Sequence, residues 1–351
     1  MKDFEKLDLQ LFAHVNATTD AATEADPTHN DLSAEMKTFY DMTLIDEAQA
    51  NLVHDQFGQK RPIPKNGGKT IEFRKFAPLA KALTPITEGV TPDGNTLNVS
   101  TVTAGVSQYG DFIVQSDVLE LTALDNTILE STKLLGRQAG LTLDTVTRNV
   151  LQAATNVSYA SKWADGVETP VEEREDMDAT SVLKVDTVNQ VVAKLRSVNA
   201  PTIDGKYVAV IHPFAAYDLM RDPEWIDAHK YATPENLYAG EIGEIGGVRF
   251  VQSSEALIIK DDTCPVDGDE NPLAVFSTLF IGAGAYGVTE VTGGGLQTII
   301  KQKGSAGTAD PLDQRSSIGW KALKTAELLI PDYLVRVESV SPRFSATANA
   351  N

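Results

Sequence analysis

The chain has 351 residues, 42% of them apolar, and carries 30 Lys and Arg against 49 Asp and Glu, a formal net charge of −19. That apolar fraction suffices for two compact units with real cores and excludes wholesale disorder. The acid excess excludes the basic footprint that tight nucleic-acid binding requires, and a single cysteine, Cys264, excludes an internal disulfide framework and fits a reducing compartment.

Residues 1 to 58 form a polar extension. Met1 to Phe12 hold too many acids for a secretory signal, and Leu32 to Phe57 reads as an amphipathic helix. Residues 59 to 115 read as one long β-hairpin with almost no core of its own. Its outgoing strand, Thr70 to Leu79, alternates Ile71, Phe73 and Lys75 against Glu72, Arg74 and Phe76. The tip, Thr84 to Asn95, is dense in turn formers and ends in Pro92-Asp93-Gly94. The return strand, Thr96 to about Val114, is rich in β-branched residues. A two-stranded ribbon is marginal in water, so this arm is expected to lie on another surface, that of a neighbouring copy in a repeating assembly.

The arm is also basic. Lys60, Arg61, Lys65, Lys69, Arg74, Lys75 and Lys81 face only Glu72, whereas the stretch before it carries Asp20, Glu24, Asp26, Asp31, Glu35, Asp41, Asp46, Glu47 and Asp55. Two readings stand: solvated faces, or a basic arm meeting an acidic surface on the adjacent copy, setting register and encounter rate more than affinity. The candidate assembly residues are Lys69, Arg74, Lys75, Lys81, Glu88 and Asp93. Gly67, Gly68 and Gly110 at the flanks are candidate hinges.

From Asp117 to about Ala154 apolar residues recur at Leu121, Leu124, Ile128, Leu135, Ala139, Leu143, Val146 and Val150, close to the helical period. Asp125 is the expected N-cap of the main part, and Asn126 to Ala154 would span about 40 Å. An acidic loop follows, with Glu168, Glu172, Glu173, Glu175, Asp176 and Asp178. The pattern then becomes mixed α/β. Asp186 is expected to cap a helix with Val188, Val191, Val192, Leu195 and Val198 inward, ended by Asn199-Ala200-Pro201. Tyr207 to Ile211 reads as a buried strand, and Pro213 opens a helix reaching Arg221. Further strands are expected at Val248–Val251, Ala274–Phe276, Leu279–Ile281, Tyr286–Val291, Ser317–Ile330 and Tyr333–Val340. No repeat of fixed period occurs. The longest uncharged run, Asn271 to Thr289, is broken by Pro272, Gly282, Gly284 and Gly287, so no membrane span is expected.

Catalytic and ligand motifs fail on inspection. Asn66-Gly67-Gly68-Lys69-Thr70 ends like a phosphate loop, but Ile63 stands where the first glycine is required, and a strand follows instead of a helix. Gly240 to Gly247 precedes a strand, the reverse of a dinucleotide fingerprint, and reads as turn glycines. Asp267 to Asn271 lacks the glycine and bidentate glutamate of a calcium loop, having Pro272 and Thr278 there. The five histidines make no short-spaced pair, so zinc is disfavoured. Cys264 lies among acids that raise a thiol pKa. His212, at a strand end before Pro213, reads as structural. No catalytic, cofactor or metal site is assigned.

The string from Lys303-Gly304-Ser305 to Gly319-Trp320-Lys321, together with Phe73 to Pro78, Thr87 to Gly94, Leu141 to Val150 and Gly240 to Phe250, closely resembles tailed-bacteriophage major capsid proteins of the N-four-like family. The resemblance covers roughly residues 35 to 340. It implies an α+β class of fold, the Hong Kong 97 capsid fold, with an N-terminal arm (1–58), an extended loop (59–115), a peripheral domain with a long spine helix (116–185 and 294–351) and an axial domain (186–293). The implied function is structural and non-enzymatic. Many copies would form hexamers and pentamers of an icosahedral shell, first a procapsid and then an expanded head. The shell would enclose double-stranded DNA without binding it tightly; separately, the acid excess suggests that an inner face, if mostly acidic, would repel the packaged DNA. The implied partners are the protein itself, a scaffolding protein and a portal, with no membrane and no cofactor; the implied location is the virion, assembled in the host bacterial cytoplasm. Two alternatives remain open: an encapsulin-like nanocompartment shell of the same fold, and a soluble α/β enzyme, motivated only by Tyr207 to Arg221.

Overall fold

The computed structural model describes residues 42–48, 52–62, 69–76, 79, 81–83, 85–86, 88–89, 94–97, 99–122, 127–164, 166–229, 243–267, 271–289, 296–305 and 310–351. In chain order its elements are α1 (42–48), β1 (Gln59–Arg61), β2 (Thr70–Phe76), β3 (Val99–Gly105), β4 (Ser107–Ser116), α2 (Asp117–Thr122) and α3 (Thr127–Gln152). There follow β5 (Val157–Tyr159), β6 (Lys162–Ala164), β7 (Val167–Thr169), α4 (Val185–Ser197), β8 (Tyr207–Ile211), α5 (Pro213–Met220), α6 (Pro223–His229), β9 (Glu244–Ile245) and β10 (Val248–Gln252). The last are β11 (Ile258–Ile259), β12 (Val275–Ile281), β13 (Tyr286–Thr289), β14 (Leu296–Lys301), β15 (Arg315–Lys324), β16 (Ala326–Leu328) and β17 (Leu334–Val340). Two compact units divide the chain: residues 51–108, 141–295 and 323–351 form the larger, and residues 1–50, 109–140 and 296–322 the smaller.

The larger unit is built on a seven-stranded mixed sheet of order β5-β17-β12-β8-β10-β9, with β11 beside β12. β12 sits centrally, antiparallel to β17 from Val275↔Val340 to Ile281↔Leu334 and to β8 at Leu279↔Val210. β8 is buried at all positions. It is covered on both faces, which is why its residues are continuously apolar instead of alternating. On one face Ala209, Ile211, Phe276 and Phe280 join Val188, Val191 and Leu195 of α4 and Leu219 of α5. On the other, Val210, Leu279 and Ile281 join Leu151, Tyr286 and Val288.

The structure corrects several sequence expectations in this unit. The two short strands expected at 274–281 are one, because Ser277 and Thr278 are themselves buried and the Ser277 hydroxyl donates to Gln152 Oε1 at 2.7 Å. Asp186 lies within the first turn of α4 instead of capping it; Lys184 occupies the cap position, and Asp222 Oδ2 accepts from the Val185 amide at 2.9 Å. Val198 is the C-cap and is exposed, while Asn199 turns the chain away with a φ of 53°. The strand expected over Ser317–Ile330 is interrupted at Thr325, whose amide bonds the Thr289 hydroxyl. Gly246 and Gly247, at φ 63° and 84°, make the two-residue turn between β9 and β10, the left-handed pair that such hairpins favour.

A buried carboxylate of the larger unit is paired by two half-buried arginines. Glu338, fully buried in β17, accepts from Arg174 Nε at 2.6 Å and Nη2 at 2.8 Å, with Arg336 Nε 3.2 Å away. This bidentate pair fastens the acidic loop around 168–178 to the sheet. β17 and β5 share the sheet with β8 and β12.

In the smaller unit Leu44 and Ala48 bury one side of α1 against α3, and a Cβ on Gly136 would stand 2.9 Å from the Leu44 carbonyl oxygen. The helix expected from Leu32 to Phe57 is therefore helical at 42–48; residues 32–41 and 49–51 lie outside the described residues, and 54–57 form a turn. Asp125, the expected cap of α3, also lies outside them. A three-stranded sheet of order β14-β15-β4 runs beside α3. Gln115 donates to Ser131 Oγ at 2.7 Å and Trp320 Nε1 to Gln138 Oε1 at 3.3 Å, so one face of this sheet is turned to the helix.

Candidate assembly interface

The arm has a rooted base and an exposed end. β2 and β3 pair antiparallel from Thr70↔Gly105 to Phe76↔Val99. Alternation puts Ile71, Phe73 and Ala104 on one side. There they form a small core with Leu329, with Val102 and Ile330 packed against it. Phe73 is fully buried, and its ring occupies the space over Gly287, where a Cβ would come within 2.3 Å of it. The single hairpin expected over 59–115 is thus three pieces: β1 pairs in parallel with β13, β2 pairs with β3, and β4 pairs with β15. The arm has a core of its own at the root, contrary to the sequence reading. That core uses Leu329, 256 residues beyond Phe73, which no local pattern announces.

Beyond Phe76 the picture reverses. Leu83 is 83% exposed and Ile86 76%, with Leu79 and Leu97 also exposed. Four large apolar side chains on a narrow extension have no counterpart to bury against among the described residues. Lys69, Arg74, Lys81 and Glu88 are exposed and Lys75 is half-buried, and none of the five makes an ion pair among the described residues. Asp93, Gly67 and Gly68 lie outside the described residues. Gly110 sits inside β4, where a Cβ would stand 2.6 Å from the Trp320 carbonyl oxygen. Close approach of β4 to β15 accounts for this glycine, a different use from the hinge expected of it.

Just before β1, a buried polar clasp fixes the chain that leads into the arm. The His54 amide donates to Asp144 Oδ1 and its Nδ1 bonds Asp144 Oδ2, both at 2.7 Å. Asp55 accepts from Thr147 Oγ1 at 2.6 Å and pairs with the Lys324 ammonium. The Tyr286 hydroxyl donates to the His54 carbonyl oxygen. Burial, with Asp55 and Asp144 adding to it, pushes the Tyr286 hydroxyl well above the usual phenol range and keeps it a donor. The His54 amide is spent on Asp144 instead of on an i−4 carbonyl, and residues 54–57 form a turn. The sequence reading missed the clasp. The signal available was Asp144 and Thr147 beside Leu143 in the apolar stripe of α3, polar groups that demand buried partners.

The two groups weighed for chemistry have structural duties. His212 caps α5, its Nδ1 accepting from the Phe214 amide at 3.2 Å, and stacks on Phe276; burial lowers its pKa to about 4. Cys264 is buried, which raises its thiol pKa. Among the described residues no group of His, Cys, Asp or Glu is placed to hold a metal ion, and no helix is long and apolar enough to cross a membrane.

No family model and no curated protein matches the chain. Solved structures do. The capsid of Ralstonia phage GP4 aligns at 13% identity and a TM-score of 0.62, over 85% of this chain and 90% of that one. The capsid of the cyanophage P-SCSP1u aligns at 13% identity and 0.59, over 83% and 88%. The capsid of the cyanophage Pam1 aligns at 13% and 0.58, over 80% and 86%. The chain has the mixed α+β fold of phage capsid subunits, as the sequence resemblance implied.

Proposed function

We propose that this protein is the major capsid protein of a tailed bacteriophage. Many copies assemble, as hexamers and pentamers, into an icosahedral shell that encloses double-stranded DNA. The observation that carries this reading is the arm, rooted by Phe73 and ending in exposed Leu83 and Ile86, on a chain that shares its fold with phage capsids. An arm laid on the next copy is a heterologous contact of the kind that builds closed rings and shells. The apolar end supplies burial, and Lys69, Arg74, Lys75, Lys81, Glu88 and Asp93 set register against the neighbour's charges. Gly67 and Gly68 are the hinge at which the arm swings as the shell expands.

In this reading residues 1–58 are the N-terminal arm and 59–115 the extended loop. Residues 116–185 and 294–351 form the peripheral domain on the α3 spine, and 186–293 the axial domain. The role is structural, not enzymatic; His212 and Cys264 are occupied in packing. Scaffolding and portal proteins are the further partners, the host cytoplasm the place of assembly and the virion the destination. The net charge of −19 keeps packaged DNA from adhering to the shell. Electron microscopy of the overexpressed protein, alone and with a scaffold, tests the reading. Rings or closed shells are expected, and deletion of residues 80–95 is expected to leave folded subunits that form neither. Normal shells from that deletion would overturn the role given to the arm.

A further inference from the structure

We propose that a cation-lined cavity between the start of α4, the end of α5 and the segment after β17 binds a phosphate monoester, one terminal oxygen to each of three positive side chains. The cavity measures about 290 Å³, near the low end of small-molecule sites, and lies within the larger unit. Lys184 reaches it from the N-cap of α4, Arg221 from the C-cap of α5 and Arg343 from just beyond β17. Arg221 and Arg343 are exposed and Lys184 is half-buried. In a chain with a net charge of −19, carboxylates are plentiful enough to match such a group. Yet none of the three makes an ion pair among the described residues. Neutral groups hold them instead. Lys184 Nζ sits 3.7 Å over the Trp163 ring, and Arg221 Nη1 donates to the Tyr217 hydroxyl at 2.8 Å. The Arg343 guanidinium lies 5.9 Å from the centre of that same tyrosine ring. A cation fixed by a ring or a phenol is positioned without being neutralised.

The carboxylates nearby are engaged elsewhere. Asp222 accepts from the Val185 amide through Oδ2 at 2.9 Å and from the Glu224 amide through Oδ1 at 3.2 Å. Asp218 is 9% exposed with its Oδ2 sealed from solvent, and burial raises its pKa against the pull of the Ser341 hydroxyl and the two arginines. Glu168, opposite Trp163 in the β6–β7 hairpin, accepts from Gln190. Three cations against two lining carboxylates leave the cavity positive, which favours an anion. The count of donors selects the kind of anion. A carboxylate has two oxygens, whereas a phosphate monoester presents three terminal oxygens and nearly two charges. That is enough for two guanidinium forks and an ammonium at once. A phosphodiester of nucleic acid has one charge per unit and fits less well. The inference does not depend on the capsid reading.

The probe is phenyl phosphate, titrated calorimetrically into the full chain at about pH 7.5, where a monoester is nearly doubly charged. One molecule per chain is expected to bind, with a Kd below about 1 mM. Arg343→Gln and Lys184→Gln are each expected to weaken binding about tenfold, the loss of one charge-assisted hydrogen bond. Lys133→Gln, in α3 and paired with Glu130, should leave binding unchanged. Acetate and dimethyl phosphate, with fewer charged oxygens, should bind at least tenfold more weakly than phenyl phosphate. No binding by the wild type, or an equal loss from Lys133→Gln, overturns the proposal. So does a DNA duplex that binds through Lys184 and Arg343 more tightly than phenyl phosphate. Independently, phenyl phosphate should slow the reaction of Arg221 and Arg343 with phenylglyoxal about threefold or more in the wild-type chain, read by mass spectrometry. Unchanged rates there overturn the proposal even where a variant fails to fold.

Discussion

Replacing Lys324 with methionine removes the ammonium that Asp55 pairs with while preserving most of the side-chain volume. The Lys324 side chain is fully buried and Asp55 is 5% exposed, so water cannot take the place of the lost cation. Breaking a buried ion pair from one side costs about 3–5 kcal/mol, since it leaves a charge unpaired in a poorly solvating site. Thr147 Oγ1 still donates to Asp55 at 2.6 Å, which places the expected loss at the lower end, about 3 kcal/mol. Against a whole-domain stability of about 5–15 kcal/mol this is a large fraction, and it corresponds to a fall in melting temperature of roughly 6–12 °C for a unit of this size. Calorimetry on unassembled subunits reads the shift directly. The companion variant Asp55→Asn with Lys324→Met, which leaves no buried charge of that pair, should recover at least half of the loss. A Lys324→Met subunit that melts within 2 °C of the wild type would refute the reasoning, as would a double variant no better than the single one.

Gly287→Ala drives a methyl into the Phe73 ring, 2.3 Å away at its nearest atom, and should cost about 1–3 kcal/mol by overpacking; limited proteolysis within residues 70–105 should accelerate while the rest of the subunit resists. His212 gives an acid dependence with a definite sign. Its folded pKa of about 4 lies below the unfolded value near 6.5, so the unfolded chain binds more protons between those pH values and stability falls as pH drops through that window. The contribution reaches at most about 3 kcal/mol below pH 4. His212→Asn keeps a capping side chain and should flatten the slope of stability against pH between 4 and 6.5 by close to one proton, which urea titrations across that range will measure.

What the sequence made legible was local. β8 was readable at both ends, because a strand covered on both faces announces itself as an apolar run. The start of α5 was readable because Pro213 tolerates only that position. α3 was readable from its stripe over 26 residues. The losses came where a distant partner overrides a local pattern. The His54–Asp144 and Asp55–Lys324 contacts close over 90 and 269 residues, and they turn what looked like the end of a long helix into a clasp. The arm's two strands were located, yet the division of its return strand into β3 and β4 depends on β15, which lies two hundred residues further on. The end of the arm carries exposed Leu83 and Ile86, two residues that the turn-rich pattern of the tip did not single out.

The most direct measurement concerns that end. Leu83→Asp with Ile86→Asp alters two side chains that are already in water in the isolated subunit, so its melting temperature should match the wild type within about 1 °C, surface changes costing little. Sedimentation under assembly conditions should then show shell-sized particles from the wild type and only subunits or small oligomers from the variant. Shells formed by the variant at the wild-type yield would contradict the account.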